Sequence, residues 1–161
     1  MQYLLPLHIL AYGYTFGATT FESFVASPIA LKSLPRRQFG ELQASTLPVH
    51  LATQAIGPML IAATAPYSLS TIGISLLVTS SASAIFNIAY VSPLCADLKS
   101  KRWHVIDSKY NGDDKAAVAS GELKSIDAEF GKWHGVSMIS NVLSVITVTA
   151  YGLVLSGKLK I

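Results

Sequence analysis

Across residues 3–31 the chain carries no lysine or arginine, and only His8 and Glu22 break an otherwise apolar run. A membrane-crossing helix needs about 20 predominantly apolar residues. The run exceeds that length, so it is expected to cross lipid while tilting, bending near Pro28, or projecting beyond the bilayer. A cleaved signal peptide would pair a basic start with an apolar core of only about 7–15 residues. Neither feature is present before Lys32, and the segment reads as a retained span.

Three further runs follow the same logic. Residues 47–64 contain Pro58 as a kink point, and Ala65-Pro66-Tyr67-Ser68 then forms a tight turn. Residues 69–95 include the small-residue stretch TSSASA, and residues 135–155 make the last run. Only 13% of the chain is charged and its mean hydropathy is +0.46, against roughly 25% charge in soluble domains. The expected fold is all-α: an integral membrane four-helix bundle forming a single domain over 1–161, with both termini on one side. The net charge of +3 comes without a clustered basic stripe, which argues against nucleic acid as a partner. Cys95 is the one cysteine, so neither an internal disulfide nor a cysteine-cluster metal site can form.

Basic residues orient the spans. The loop 32–46 holds Lys32, Arg36 and Arg37, and the loop 96–134 holds seven more, whereas the opposite side has only Lys158 and Lys160. Both loops are therefore expected to face the cytosol and both termini to be non-cytosolic. In the second loop Asn111-Gly112 signals a turn. After it, Leu123, Ile126, Phe130 and Trp133 recur at helical spacing among charged residues, which predicts an amphipathic interfacial helix feeding into the last span. Trp103 and Trp133 suit the headgroup level, and Arg36 and Arg37 suit contact with anionic headgroups. Membrane lipids are thus the first expected partners.

Four features stand in order along the chain: the early His8, then Leu34-Pro35-Arg36-Arg37-Gln38-Phe39-Gly40-Glu41-Leu42-Gln43 with Leu47-Pro48, then Asn87-Ile88-Ala89-Tyr90-Val91-Ser92-Pro93, then Phe130-Gly131-Lys132-Trp133-His134-Gly135 with Ser137 and Asn141. Together they resemble the motifs of the transmembrane protein 205-like family. The resemblance keeps motif order over nearly the whole chain. It implies four helices in an endomembrane of the secretory pathway and leaves a mitochondrial membrane open as the other location. It also implies a poorly defined activity, which in the animal namesake is associated with handling of platinum drugs.

Topology then makes the polar residues informative. Glu22, His50, Gln54, Asn87, His134 and Asn141 all fall in the cytosolic half of the expected bundle, from all four spans. His134 and Asn141 lie seven residues apart, about two helical turns, and so share one face. Asn and Gln on membrane helices hydrogen-bond across interfaces. An ionisable group such as Glu22 inside a span marks a functional site by default. Gly13-Tyr14-Thr15-Phe16-Gly17 permits close helix approach, within the bundle or in a dimer, and Gly13 and Gly17 are expected to pack within the bundle. No HxxxH or HxxE spacing supports a metal site, and no nucleophile–base pair is visible. No metal, cofactor or catalysis is expected. The chain reads as an accessory or assembly subunit of a membrane complex, partnered by other membrane subunits or by itself. The alternative is a small transporter or ion-conducting homo-oligomer with a polar site in the cytosolic half of the membrane.

Overall fold

The structure is a computed structural model in which residues 4–159 are described, and among them it is helical with no strand. Tyr3, where the first span was expected to start, and Lys160, which enters the charge count, lie outside the described residues. The first helix, α1, covers 4–33 in three parts: Leu4–Phe21, a π-helical turn at Glu22–Ala26, and Ser27–Ser33. Helix α2 is Arg36–Ala63. Helix α3 runs over Thr71–Tyr110 with a second π-helical turn at Asn87–Val91. A short α4 at Asp114–Ala119 precedes α5 at Lys124–Ser156.

The two segments expected as loops are largely helical. The break between α1 and α2 is only Leu34-Pro35, with Leu34 extended at φ −110° and ψ 146°. Proline disfavours helical geometry in the residue before it, and the good helix formers that follow restart the helix at once. Past 95 the chain becomes charged yet stays helical to Tyr110, because charge ends an apolar run without ending a helix. Termination comes at Asn111 and Gly112, whose φ values of 49° and 85° are left-handed, a conformation that Asn and Gly adopt at least cost. The expected amphipathic helix and the last span are one continuous α5.

Both π-helical turns lie just ahead of a Ser-Pro pair, Ser27-Pro28 and Ser92-Pro93. A proline inside a helix removes one hydrogen bond and crowds the carbonyl four residues back. Widening the preceding turn to the π pattern relieves that crowding and rotates the residues within it to new directions. Glu22 and Asn87 are the first residues of the two widened turns.

The chain divides into two compact units, Met1–Ile88 with Ser140–Ile161, and Ala89–Ile139. In the first unit Ile61, Leu77, Tyr151 and Leu155 form a buried apolar cluster. Close helix contact occurs at Gly57, where an added Cβ would strike the Thr15 side chain, and at Gly152, where it would strike the Tyr12 ring. Gly13 and Gly17 are different from expectation: both are exposed, and a Cβ on either meets nothing within 4 Å. The glycines that let helices approach in this unit are Gly57 and Gly152. Gly57→Ala is therefore expected to lower stability by about 1–3 kcal/mol through overpacking. Gly17→Ala should be neutral or stabilising by up to about 1 kcal/mol, from helix propensity alone. Thermal unfolding of the two variants in detergent checks the contrast.

Among the described residues three helices, α2, α3 and α5, are long and apolar enough to cross a membrane. Large apolar side chains point outward on every long helix, among them Leu10, Phe21, Val49, Ile72, Ile146 and Leu153.

The second unit has its own small core of Ile106, Ala117 and Leu123, covered by Trp103, Val105 and Tyr110. Arg102 is buried beside it and forks to Asp114 at 2.7 Å and Asp127 at 2.8 Å. Asp113 caps α4 by accepting from the Ala116 N–H at 3.0 Å. Lys109 pairs with Glu122, and the Tyr110 hydroxyl donates to the same carboxylate at 3.0 Å. These two donors hold the Glu122 carboxyl below its usual range.

Candidate functional site

Asn141 is the centre of a polar network inside the first unit. Its Oδ1 accepts from His50 Nε2 at 3.0 Å and from the Gln54 side-chain amide at 2.5 Å, and its Nδ2 donates to Ser23 Oγ at 3.0 Å. One side chain thereby ties α5 to α1 and to two successive turns of α2. Because Oδ1 only accepts, His50 must present Nε2–H to it, so the neutral ring keeps its acceptor at Nδ1. Gln54 is 1% exposed, and its Oε1 is buried without a protein partner. Under-satisfied carbonyls are tolerated more readily than orphaned N–H groups.

Glu22 stands one residue before Ser23 at the start of the widened turn and takes a different direction. Its Oε1 accepts from Ser27 Oγ at 2.9 Å, and Ser27 Oγ accepts from Gln43 of α2 at 2.9 Å. Glu22 and His50 border the same open groove between α1 and α2, with Tyr14, Ala18, Ser45, Thr46, Val49 and Thr53 completing its walls. Of the six polar residues singled out in the sequence, the network gathers His50, Gln54 and Asn141, and the groove joins Glu22 to His50. Asn87 is buried in α3 at 1% exposure. His134 belongs to the second unit, where its ring stacks on Phe130 with centroids 5.5 Å apart.

The residues expected at headgroups are distributed as follows. Arg36 and Arg37 are exposed at the start of α2, with Arg37 3.7 Å from Glu41. Trp103 packs on the core of the second unit, and Trp133 meets Tyr90 edge-on at 5.5 Å. Among the described residues no group of three or more His, Cys, Asp or Glu side chains is placed to hold a metal ion.

A second buried polar cluster was not anticipated. His8 is 0% exposed, and its Nε2 accepts from the Tyr151 hydroxyl at 3.0 Å. The Tyr67 hydroxyl lies 3.2 Å from that of Tyr151, and His8 Nδ1 lies 3.3 Å from Thr64 Oγ1. Thr64 Oγ1 donates to the Leu60 carbonyl at 2.7 Å, so it accepts from His8. This chain of bonds fastens α1, the turn after α2 and α5 together at the opposite end from Asn141. The hint in the sequence was the pair of tyrosines, Tyr67 in a turn and Tyr151 in an apolar run, whose hydroxyls need partners once buried.

Comparison with known proteins adds a family. Residues 10–104, more than half of the chain, match the family described as Domain of unknown function (DUF4149). The chain belongs to the DUF4149 family. Xanthocillin biosynthesis cluster protein D of Aspergillus fumigatus is 26% identical over 156 residues, a match covering 97% of this chain and 91% of that protein. No solved structure matches. The DUF4149 region holds Glu22, His50, Gln54 and Asn87 together with the whole α1–α2 groove, whereas His134, Asn141 and Tyr151 lie beyond it.

Proposed function

We propose that this DUF4149 protein is a multi-pass membrane protein that serves as a non-catalytic accessory or assembly subunit of a membrane complex. The observation that carries the reading is the inverted distribution of side chains in the first unit. Asn141, His50, Gln54 and Ser23 bond to one another inside, while large apolar side chains face outward on every long helix. That arrangement suits a bilayer, where polar groups must find partners within the protein. On this reading α1, α2, α3 and α5 each cross the bilayer and both termini are non-cytosolic, an orientation that the basic residues of the loops support. The motif likeness to the transmembrane protein 205-like family supports the same four-helix arrangement and a secretory-pathway endomembrane. Likeness to a protein named for a biosynthesis cluster supports a role alongside a biosynthetic activity. After gentle solubilisation, native mass measurement is expected to find the 17.2 kDa chain in fixed stoichiometry with another membrane protein. A chain that runs only as a bare monomer overturns the accessory role.

A second reading, a small carrier or ion-conducting homo-oligomer, draws on the groove that Glu22 and His50 share. A carboxylate within a span is costly and is kept for function by default. On this reading Glu22→Gln abolishes flux in reconstituted vesicles and leaves assembly intact.

A further inference from the structure

We propose that the groove between α1 and α2 is a binding site for a protonated primary amine. The inference does not depend on the accessory role or on transport; it rests on the hydrogen-bonding character of the groove wall. Ser45 Oγ donates to the Glu41 carbonyl at 3.4 Å, Thr46 Oγ1 to Leu42 at 3.1 Å and Thr53 Oγ1 to Val49 at 3.0 Å. Each hydroxyl has a single hydrogen, and in all three it is turned back onto the helix. What these residues offer the groove is lone pairs.

The other polar groups there have the same character. Glu22 is acceptor-only when ionised, and Ser27 occupies part of one carboxylate oxygen. His50 is 9% exposed and lines the groove, with Nε2–H committed to Asn141. Its Nδ1 lone pair bonds to no group among the described residues. Tyr14 brings an aromatic ring to the same site, and an aromatic face attracts a cation. The groove is thus lined by a carboxylate residue, a histidine and three hydroxyl residues whose remaining hydrogen-bonding capacity is to accept, around walls that include Ala18 and Val49. An alkylammonium supplies three N–H donors, one positive charge and an apolar tail. Such an amine is found both free and as a lipid headgroup, and the chemistry of recognition is the same.

The test uses the full chain in phosphatidylcholine nanodiscs. Thermal unfolding is followed while hexylammonium, or hexyltrimethylammonium of equal charge and no N–H, is titrated in. Hexylammonium is expected to raise Tm saturably, and the trimethyl compound to bind at least fivefold more weakly. Glu22→Gln keeps an oxygen for Ser27 and is expected to retain the ligand-free Tm while weakening hexylammonium at least tenfold. Thr53→Val, which removes one groove oxygen, should weaken it several-fold and serves where Glu22→Gln does not fold. Adding phosphatidylethanolamine assigns the natural source: competition with hexylammonium points to a headgroup, and unchanged binding points to a free amine. Absence of saturable binding, equal binding of the two cations, or full binding by the folded variants overturns the proposal.

Discussion

Replacing Asn141 with leucine is expected to lower the unfolding free energy by about 2–5 kcal/mol. The two side chains are close in size, so the change removes polarity with little change in packing. His50 Nε2–H and the Gln54 amide both lose their acceptor, and Ser23 loses a donor. Each buried group left without a partner costs about 1–3 kcal/mol. Hydrogen bonds between membrane helices measure nearer 0.6–1.7 kcal/mol, because the unfolded chain also finds partners in the bilayer. For two to three lost bonds the first figure sums to about 2–9 kcal/mol and the second to about 1–5, and the expected range is where they overlap. Pairing the change with Gln54→Leu is expected to recover part of the loss, since removing both partners is milder than orphaning one. Unfolding in mixed micelles measures the three proteins together. A loss for Asn141→Leu below about 0.5 kcal/mol, the level of an ordinary surface change, would mean that the network holds nothing together.

The same residues show how far the sequence could be read. The sequence placed Glu22, His50, Gln54, Asn87, His134 and Asn141 in one half of the expected bundle, because an amide in an apolar helix has few alternatives to a neighbouring helix; which of them bond to one another was not legible. That Glu22 would leave this network for the α1–α2 groove was not legible from helical periodicity. The π-helical turn at Glu22–Ala26 inserts an extra residue per turn, and every face assigned by a 3.6-residue period shifts from there on. The paired Ser-Pro steps at 27–28 and 92–93 were the available signal. Loop boundaries failed for another reason: hydropathy locates where lipid would end, and helix formers carry the backbone past that point, as α3 does to Tyr110. Gly13 and Gly17 show the limit of a motif. The spacing permits close approach, yet which glycine is used depends on what faces it, and here Thr15 faces Gly57. Membership of DUF4149 fixed a family across α1, α2 and most of α3, while the residue at the hub of the polar network lies outside the matched region.

Arg102→Met is the second large effect, and it isolates the other unit. The guanidinium is buried to 5% exposure and is held by Asp114 and Asp127, with Trp103 beneath it at 5.2 Å. Breaking a buried pair costs about 3–5 kcal/mol when a charge is left uncompensated. The two carboxylates are 35% and 32% exposed, so water takes over part of their solvation and the expected loss is nearer 2–4 kcal/mol. Methionine fills much of the volume, which keeps the apolar contacts to Ile106, Ala117 and Leu123 and confines the change to charge. Arg102→Lys retains the charge but loses the planar fork that reaches two acids at once, and about half the effect is expected. Hydrogen exchange reads the outcome by region. Amides of residues 89–139 should lose protection while those of the first unit keep theirs, because cooperative units within a protein can open separately. Adding Asp114→Asn and Asp127→Asn to Arg102→Met removes the stranded negative charges and should restore a substantial part of that protection. Uniform loss across both units would show instead that Arg102 supports the whole chain, and the division at residues 88 and 140 would not correspond to separate folding units.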